Sequence, residues 1–492
     1  MRSRLVSRAT LSVILALAAS ACTASEAPGP RPQGGSIRIE GEEPGSLDPA
    51  HADDPAETRI VRNLFRGLVG FDETRGSIQP ATASRFTVST DSRTFEFTLR
   101  RNDRFSNGEP VTAESFARAF ARATAPVESS PIAGMFSEIQ GFAERRAGKT
   151  PNLSGVVPLD DYTLRITLSA PNAEFPATLT HPAFSPIPSD AAMLAREPSW
   201  GESPIGNGPW QLKEPWKHNE SIVLEPNPQY TGPDRPNLKE AVFVLLDDVG
   251  VSYDQWLAGN LDWAGIPPAQ INAVRAQNPG EIVTTVTPHL VYLIATGRPP
   301  TNDVTFRRAV SLAIARDVIA RGGTWSGRAL ASTGLVPPGI PGYRRPDNEQ
   351  VGPCAFCRLD AAEAKRLLSA SGVRLDGPLP LQHLPDQEQW VDAVARNLKQ
   401  NLGIDTRTHK TVSLSFYADQ LRRRDLDGFA AYEVELATPS PDGILFPIFQ
   451  SRSTGLLNLN RYANPEVDRL LGAARAERDA TARIALYRQA ED

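Results

Sequence analysis

The feature of this sequence that most constrains its fold is the distribution of its prolines. The 492 residues include 43 prolines, and most of them separate short runs in which apolar and polar residues alternate. Proline fixes φ and donates no backbone hydrogen bond, so it marks turns and ends regular elements. The pattern is typical of many strands joined by turns and excludes a bundle of long helices. A chain of this length also predicts two or three folded units that share large cores.

Residues 1–21 predict an export signal. A basic start is followed by an apolar stretch, 11–18, which is far shorter than the roughly 20 residues that a membrane span needs. Small residues then lead into Cys22 in a pattern that resembles a bacterial lipobox, in which the cysteine is lipidated. The sequence A-S-A at 19–21 also fits an ordinary cleavage site that releases a soluble protein, so both alternatives stay open.

Cysteine parity favours the anchored form. Cys354 and Cys357 form a C-x-x-C and can pair in an oxidising compartment, which leaves Cys22 as the odd thiol. Lipidation of Cys22 accounts for it and predicts a protein anchored to the outer face of the cytoplasmic membrane. Residues 22–35 are rich in proline, glycine and small polar residues, so we expect a flexible tether. We expect the C-x-x-C to be a structural disulfide, since a cysteine zinc site needs a second pair of ligands.

Charge and histidine content exclude several functions. Lys and Arg number 52 against 57 Asp and Glu, a formal charge of -5, and no basic cluster exceeds a short run such as 422–424. Nucleic-acid binding therefore has no electrostatic basis here. The six histidines are scattered with no i, i+4 pair, so we predict neither a metal site nor a cofactor.

Periodicity predicts α/β organisation. Segments 36–40, 94–100 and 162–168 alternate apolar and polar residues, as half-buried strands do. A capped helix is predicted to start near 111–114, and further amphipathic helices are predicted at 304–320, 360–371 and 389–402, with a clear strand at 428–436. The stretch 281–298 predicts two strands across a boundary, and we expect the hinge between two lobes there.

Ten short motifs, in order along nearly the whole exported chain, resemble those of the family 5 solute-binding proteins, the oligopeptide/dipeptide-binding group. The most specific is F-E-F-T-L-R at 95–100 followed by F-S-N-G-E-P-V-T-A-E at 105–114. The others are P-G-S-L-D-P at 44–49, N-L-F-R-G-L at 63–68, G-N-G-P-W at 206–210, N-P-Q-Y at 227–230, L-A-G-N-L-D at 257–262, F-R-R-A-V-S-L-A-I at 306–314, P-S-P-D-G at 439–443 and Y-A-N-P-E-V-D at 462–468.

The resemblance implies an α/β, two-lobed, periplasmic-binding-protein-like fold of type II, with an extra subdomain in the first lobe. We expect lobe I at 36–80 and 200–287, the subdomain at 81–199 and lobe II at 288–492. Relatives continue with a strand and a helix that return to lobe I, and this sequence ends within the preceding helical pattern, so we expect that return to be missing.

The function that the resemblance implies is that of the extracytoplasmic receptor of an ABC importer. Such a receptor captures a peptide or related small solute between its lobes and delivers it to membrane permease subunits. We expect a monomer.

In peptide-binding relatives, an aspartate just before the Pro-Ser-Pro turn pairs with the amino group of the ligand. Here that position is Ala437. Strand side chains alternate faces, so Glu435 should point the same way and could offer a carboxylate instead. We therefore predict a site at Glu435, flanked by Tyr432, Glu433 and Asp442, for an amine-bearing, peptide-like solute.

A secreted hydrolase and a surface receptor without a transport role are the alternative functions. A secreted hydrolase needs an activated nucleophile, and the sequence contains neither G-x-S-x-G nor H-E-x-x-H, so we predict no catalytic residues and no enzymatic activity. A surface receptor that has lost transport would share the same fold. Neighbouring genes for permeases and ATPases would distinguish it from a transporter component.

Overall fold

The computed structural model describes residues 34–72, 74–127, 130–190, 198–322, 325–344, 354–436, 438–453 and 457–492. The predicted signal peptide, Cys22, nearly all of the tether and Ala437 lie outside these residues. In the part of the chain that is described, no helix combines the length and the apolar character needed to cross a lipid bilayer.

The described strands form three four-stranded sheets and one hairpin. In chain order they are β1 (Ser36–Gly41), β2 (Val69–Asp72), β3 (Ser77–Pro80), β4 (Ala83–Val88), β5 (Thr94–Leu99), β6 (Val156–Asp160), β7 (Thr163–Thr167), β8 (Trp210–Leu212), β9 (Ser221–Pro226), β10 (Glu240–Leu245), β11 (His289–Ala295), β12 (Leu379–His383), β13 (Thr406–Lys410) and β14 (Phe429–Glu435).

The described helices alternate with these strands. They are α1 (Pro55–Leu64), α2 (Ala113–Ala123), α3 (Phe142–Arg146), α4 (Phe175–Thr178), α5 (Val249–Leu257), α6 (Ile271–Gln277), α7 (Val304–Leu312), α8 (Arg316–Arg321), α9 (Ala361–Ser371), α10 (Glu388–Leu402), α11 (Leu414–Arg423), α12 (Asp442–Phe449), α13 (Pro465–Ala476) and α14 (Ala480–Glu491).

We call residues 34–265 the N-terminal body, because its two sheets share one hydrophobic core. One sheet has the order β1-β10-β9-β8 and the other the order β4-β5-β7-β6. On β5, Phe95 and Phe97 are fully buried and pair with Ile166 and Leu164 of β7, as the alternation in the sequence predicts. Each such phenylalanine stabilises the fold by about 2–3 kcal/mol through its burial.

We call residues 289–492 the C-terminal body. Its sheet has the order β11-β14-β12-β13, in which β14 is antiparallel to β11 and parallel to β12. Helices α7, α9 and α10 cover one face of this sheet, and α11 to α14 pack against the other. Both faces of the sheet are therefore buried by helices over most of its length, as is typical of α/β proteins.

The helix predicted at 304–320 is broken into two, so that prediction was wrong in its extent. Helix α7 ends at Leu312 and α8 begins at Arg316. Side chains of α10 stabilise the break, because Asn397 Oδ1 accepts a hydrogen bond from the Ala315 backbone N–H (2.7 Å) and Asn401 Nδ2 donates to the Ala313 carbonyl (2.8 Å). These contacts satisfy the backbone groups that a continuous helix would have paired internally.

The prediction of two strands at 281–298 is half right. Residues 289–295 form β11, whereas 281–288 form no strand and are mostly exposed. Pro288 has no backbone N–H, and its carbonyl oxygen accepts a hydrogen bond from the Leu436 N–H at 2.9 Å. This segment links the two bodies. Further along the chain, Cys354 and Cys357 are disulfide-bonded with a Cα–Cα distance of 5.3 Å, just before α9.

The G-N-G-P-W motif holds the start of β8 against the end of α1. Asn207 is buried, and its side chain accepts a hydrogen bond from the Arg66 N–H and donates one to the Arg66 carbonyl, both at 2.9 Å. A Cβ atom at Gly206 would lie 1.9 Å from the Leu64 carbonyl oxygen, and one at Gly208 would lie 2.5 Å from that of Asn63. The motif thus combines a close backbone approach, which requires glycine, with a side chain that closes the loop.

We expect Gly206→Ala to destabilise the N-terminal body, because the added methyl group collides with the Leu64 carbonyl. The free energy of unfolding should fall by about 1–3 kcal/mol, the usual cost of overpacking, in urea denaturation followed by circular dichroism. Gly70→Ala is the matched control, since nothing lies within 4 Å of a Cβ there. Equal effects of the two substitutions would contradict the assignment of a close approach to Gly206.

Candidate functional site

The candidate site lies at the carboxyl end of β14, where the covering helices give way to solvent. Side chains alternate along this strand. Phe429 and Ala431 belong to the core shared with α10, and Glu433 and Glu435 continue the same face toward the end of the strand. The alternation therefore brings two of the predicted residues, Glu433 and Glu435, onto one face.

A histidine that the sequence analysis did not select completes this face. His289 of β11 stands directly opposite Glu435, and its Nε2 atom lies 3.3 Å from Glu433 Oε2 along the diagonal of the antiparallel pair. The Glu433 side chain is 24% exposed and that of His289 is 34% exposed, so both remain reachable by a solute. Only the pairing of β11 with β14 could reveal His289, because the two residues are 144 positions apart in the sequence.

The electrostatics of this cluster favour a positive charge. The hydrogen bond to Glu433 raises the pKa of His289, the carboxylates of Glu433 and Glu435 reinforce the rise, and partial burial opposes it. The buried Gln387 also donates a long hydrogen bond to Glu433 (Nε2–Oε1, 3.4 Å). We call these four residues, His289, Gln387, Glu433 and Glu435, the carboxylate face. It can hold an ammonium group.

Tyr432 and Asp442, the other two predicted residues, are not part of the carboxylate face. Tyr432 points to the opposite side of the sheet, where its ring packs against Tyr292 with a centroid distance of 6.0 Å and an interplanar angle of 63°. Burial raises the pKa of Tyr432, so its hydroxyl is neutral. Because side chains alternate along a strand, Tyr432 faces away from Glu433 and Glu435.

Asp442 opens helix α12 inside a cluster of charged residues. Its side chain accepts a hydrogen bond from the Tyr487 hydroxyl (3.0 Å), and Arg475 Nε lies 3.2 Å from Asp442 Oδ2 without the alignment of a hydrogen bond. Burial raises the pKa of Asp442 to about 6, against the opposing effect of the Arg475 charge. The Asp442 side chain is 13% exposed and contacts both Arg475 and Tyr487, and its predicted contact with a solute stays a prediction.

The turn between β14 and α12 is tightly bonded. The Asp442 N–H donates to Ser440 Oγ (3.0 Å), and the Gly443 N–H donates to the Ser440 carbonyl (3.0 Å). A Cβ at Gly443 would lie 2.2 Å from Thr438 Oγ1, which explains the glycine of the P-S-P-D-G motif. These contacts hold the turn at 438–443, which follows position 437 directly.

Two open cavities on the described part of the chain lie away from this site. These cavities, of ≈ 350 and ≈ 260 Å³, are lined by residues around 137–144 and around 374–380, and neither contains a member of the carboxylate face. Within the described ranges, no group of three or more His, Cys, Asp and Glu side chains is arranged to hold a metal ion.

Comparison with known proteins places this geometry in context. The model of the bacterial extracellular solute-binding proteins, family 5 middle, matches residues 77–455. The chain is 32% identical over 461 residues to the probable deoxycholate-binding periplasmic protein YgiS of Escherichia coli (strain K12), covering 91% of this chain and 84% of that protein. It is 27% identical over 505 residues to the dipeptide-binding protein DppE of Bacillus subtilis (strain 168), covering 98% and 90%.

Solved structures agree with these relationships. The unliganded open form of MppA, a periplasmic murein tripeptide-binding protein, superposes with a TM-score of 0.78 at 29% sequence identity, covering 94% of this chain and 89% of that structure. The two-lobed type II fold is therefore confirmed, with mixed α/β content in both bodies.

Asp442 should make stability depend on pH. Its pKa is raised from an ordinary value of 3.8 to about 6, so between these values the folded chain keeps a proton that the unfolded chain has lost. Unfolding then releases a proton, and stability should fall as the pH rises from about 4 to about 6. Urea midpoints at several pH values should show that Asp442→Asn removes this part of the slope. The exposed Asp386→Asn is the control, and an identical slope in the wild type and Asp442→Asn would refute the assignment.

Proposed function

The chain belongs to family 5 of the bacterial extracellular solute-binding proteins, and from that premise we propose that it captures an amine-bearing, peptide-like solute at the carboxylate face. It is the extracytoplasmic solute-binding component of an ABC importer, and its relatives are receptors rather than enzymes. The observation that carries the proposal is the pair of carboxylates, Glu433 and Glu435, on one face at the end of β14.

An ammonium group is the natural partner of this face. A cation that leaves water must be matched by an opposite charge and by hydrogen bonds. Glu433 already contacts the imidazole of His289 at 3.3 Å, and this contact raises the pKa of the histidine. A solute ammonium would replace the histidine, take over its contact with Glu433 and gain Glu435 as a second partner. This arrangement substitutes for the aspartate that peptide-binding relatives carry at the position of Ala437.

The proposed mechanism needs no chemical step. The solute binds to one lobe, contacts from the other lobe favour the closed state, and the closed receptor docks on permease subunits in the membrane. We propose lobe I at 36–80 and 200–287, the subdomain at 81–199 and lobe II at 288–492. We also propose that the chain is a monomer and has no enzymatic activity.

One relative favours a second candidate solute. YgiS, at 32% identity, is named for deoxycholate, which is an anion with a large apolar body. If this chain bound such a solute, the two glutamates would repel the carboxylate and protonated His289 would attract it. The glutamates should therefore favour an ammonium solute and disfavour a carboxylate solute. Substituting the glutamates and His289 separately distinguishes the two candidates.

We expect peptides with a free amino group to raise the melting temperature of the exported chain by mass action. N-acetylated peptides should fail to do so, because acetylation removes the charge. Glu433→Gln with Glu435→Gln should weaken binding by about ten- to a hundredfold, the size of a lost charge-assisted hydrogen bond, as measured by calorimetry.

Glu144→Gln, an exposed carboxylate on α3, is the matched control and should leave affinity unchanged. Unchanged affinity in the Glu433/Glu435 double variant would remove these residues from the site. Stabilisation by deoxycholate that survives the double variant and is lost in His289→Gln would establish the second candidate.

We propose that Cys22 carries the lipid anchor, which places the receptor on the outer face of the cytoplasmic membrane. Cys22→Ser should move the protein from the membrane fraction to the soluble fraction and abolish incorporation of radioactive palmitate in growing cells. A wild-type protein that is already soluble and unlabelled would show that export ends in simple cleavage at 19–21.

A further inference from the structure

Two arginines of the C-terminal body, buried Arg475 and largely buried Arg483, bind carboxylates of the N-terminal body. Arg475 of α13 donates through Nη2 to Glu138, and Arg483 of α14 forms an ion pair with Glu174. Glu138 and Glu174 lie beside Phe136, Ile139 and Phe175, whose side chains belong to the core of the N-terminal body. These ion pairs therefore cross the boundary between the two bodies. We call Glu138, Glu174, Asp442, Arg475 and Arg483 the charge cluster.

The charge cluster is largely removed from water. The side chains of Arg475, Glu174 and Arg483 are 8%, 13% and 14% exposed, whereas that of Glu138, at the edge of the cluster, is 34% exposed. Arg475 also lies over the Phe446 ring at 3.9 Å from its centroid. Backbone contacts support the same boundary, because the Ala173 N–H donates to the Arg475 carbonyl at 2.6 Å and Ser92 Oγ donates to the Ala476 carbonyl at 3.0 Å.

The charge cluster reaches the candidate solute site through the turn at 438–442. Ser440, fully buried, donates from its hydroxyl to Glu174, and the same oxygen accepts the Asp442 N–H. Asp442 in turn contacts Arg475. Carboxylates of one body thus hold the segment of the other body that follows position 437 directly.

The balance of charges makes this contact sensitive to the separation of the bodies. If the bodies moved apart here, Glu138 and Glu174 would leave, and Arg483 would lose its carboxylate partner. Burying a charge without its partner is strongly unfavourable. A partly separated arrangement, in which the arginine is still buried but unpaired, therefore has a higher free energy than either the joined or the fully hydrated arrangement. Such a contact has two discrete states rather than a continuous range.

We propose that Glu138 and Glu174 are positioning residues that act across the body boundary, holding the solute-side turn through Ser440 and the two arginines and so setting how far the bodies open. The contact itself is independent of the solute. Its effect on affinity rests on the proposed function, because only a solute that is enclosed between the bodies gains from their contact.

Protonation of Asp442 adds a second way to detect the contact. The groups that face it are Arg475 of α13, Tyr487 of α14 and, from the N-terminal body, Glu138 and Glu174. The two glutamates raise the pKa of Asp442, and that effect is present only while the bodies are joined. The joined state therefore binds the proton more tightly, and acidification below about pH 6 favours the joined state.

The test is the distance between spin labels on the two bodies, measured by double electron–electron resonance without solute. Exposed Lys149 and Gln400 are replaced as Lys149→Cys and Gln400→Cys in the full exported chain with Cys22→Ser. Glu174→Gln with Arg483→Gln should lengthen and broaden the distribution relative to the parent. Glu144→Gln with Arg469→Gln, two exposed residues of the same two bodies, should leave it unchanged.

An unchanged distribution in the folded Glu174/Arg483 variant overturns the proposal. If that variant does not fold, as judged by circular dichroism, the single substitution Glu138→Gln takes its place with the same expected change, and an unchanged distribution then overturns the proposal. In the parent chain the distribution should also be shorter and narrower at pH 5 than at pH 8. Once a solute is known, the folded variant should also bind it more weakly. A failed solute screen would count against the proposed function and leave the distance result intact.

Discussion

The pairing of β14 with β11 is the constraint on which the C-terminal body depends. It places β14 inside the sheet, where one side chain in two must face α7, α9 and α10 and the next must face α11 to α14. Because the period of a strand is two residues, the same register that buries Phe429 and Ala431 presents Glu433 and Glu435 beyond the helices. The core and the candidate site are therefore consequences of one register, and neither can shift without the other.

Apolar burial and charge have separate roles in this molecule. Among the described residues, each hydrophobic core lies within one of the two bodies. The contact between the bodies at α13 and α14 is instead made of ion pairs and hydrogen bonds. Polar contacts of this kind can be exchanged for water far more readily than a shared apolar core. A receptor that must release its solute requires rigid bodies and a reversible contact between them. Apolar cores within each body and polar contacts between the bodies fit that requirement.

Particular residues show how far sequence reasoning reached. The strands of the N-terminal body and the start of α2 follow from local periodicity and from capping, because neighbours in the chain decide them. The break between α7 and α8 does not, since Asn397 and Asn401 approach from a helix far along the chain. Glu433 and Glu435 were predicted together with Tyr432, which the sheet turns to its other face. Asp442 was predicted as a ligand contact from its position in the chain alone, and its burial against Arg475 and Tyr487 could not be seen there, because both residues approach from helices further along the chain.

The sequence by itself determined the class of protein. Three features carried that information: the order of the motifs, the glycines where backbones approach closely, and the alternation along the strands. All three depend on local geometry, which neighbouring residues determine. Only the tertiary structure decided which charges meet. His289 and Glu433, Glu138 and Arg475, and Glu174 and Arg483 are each separated by more than a hundred residues. Whether these charges pair depends on how the sheets and bodies pack. Electrostatic attraction depends on the distance between two charges in space, which is a few ångströms here, and not on their separation along the chain.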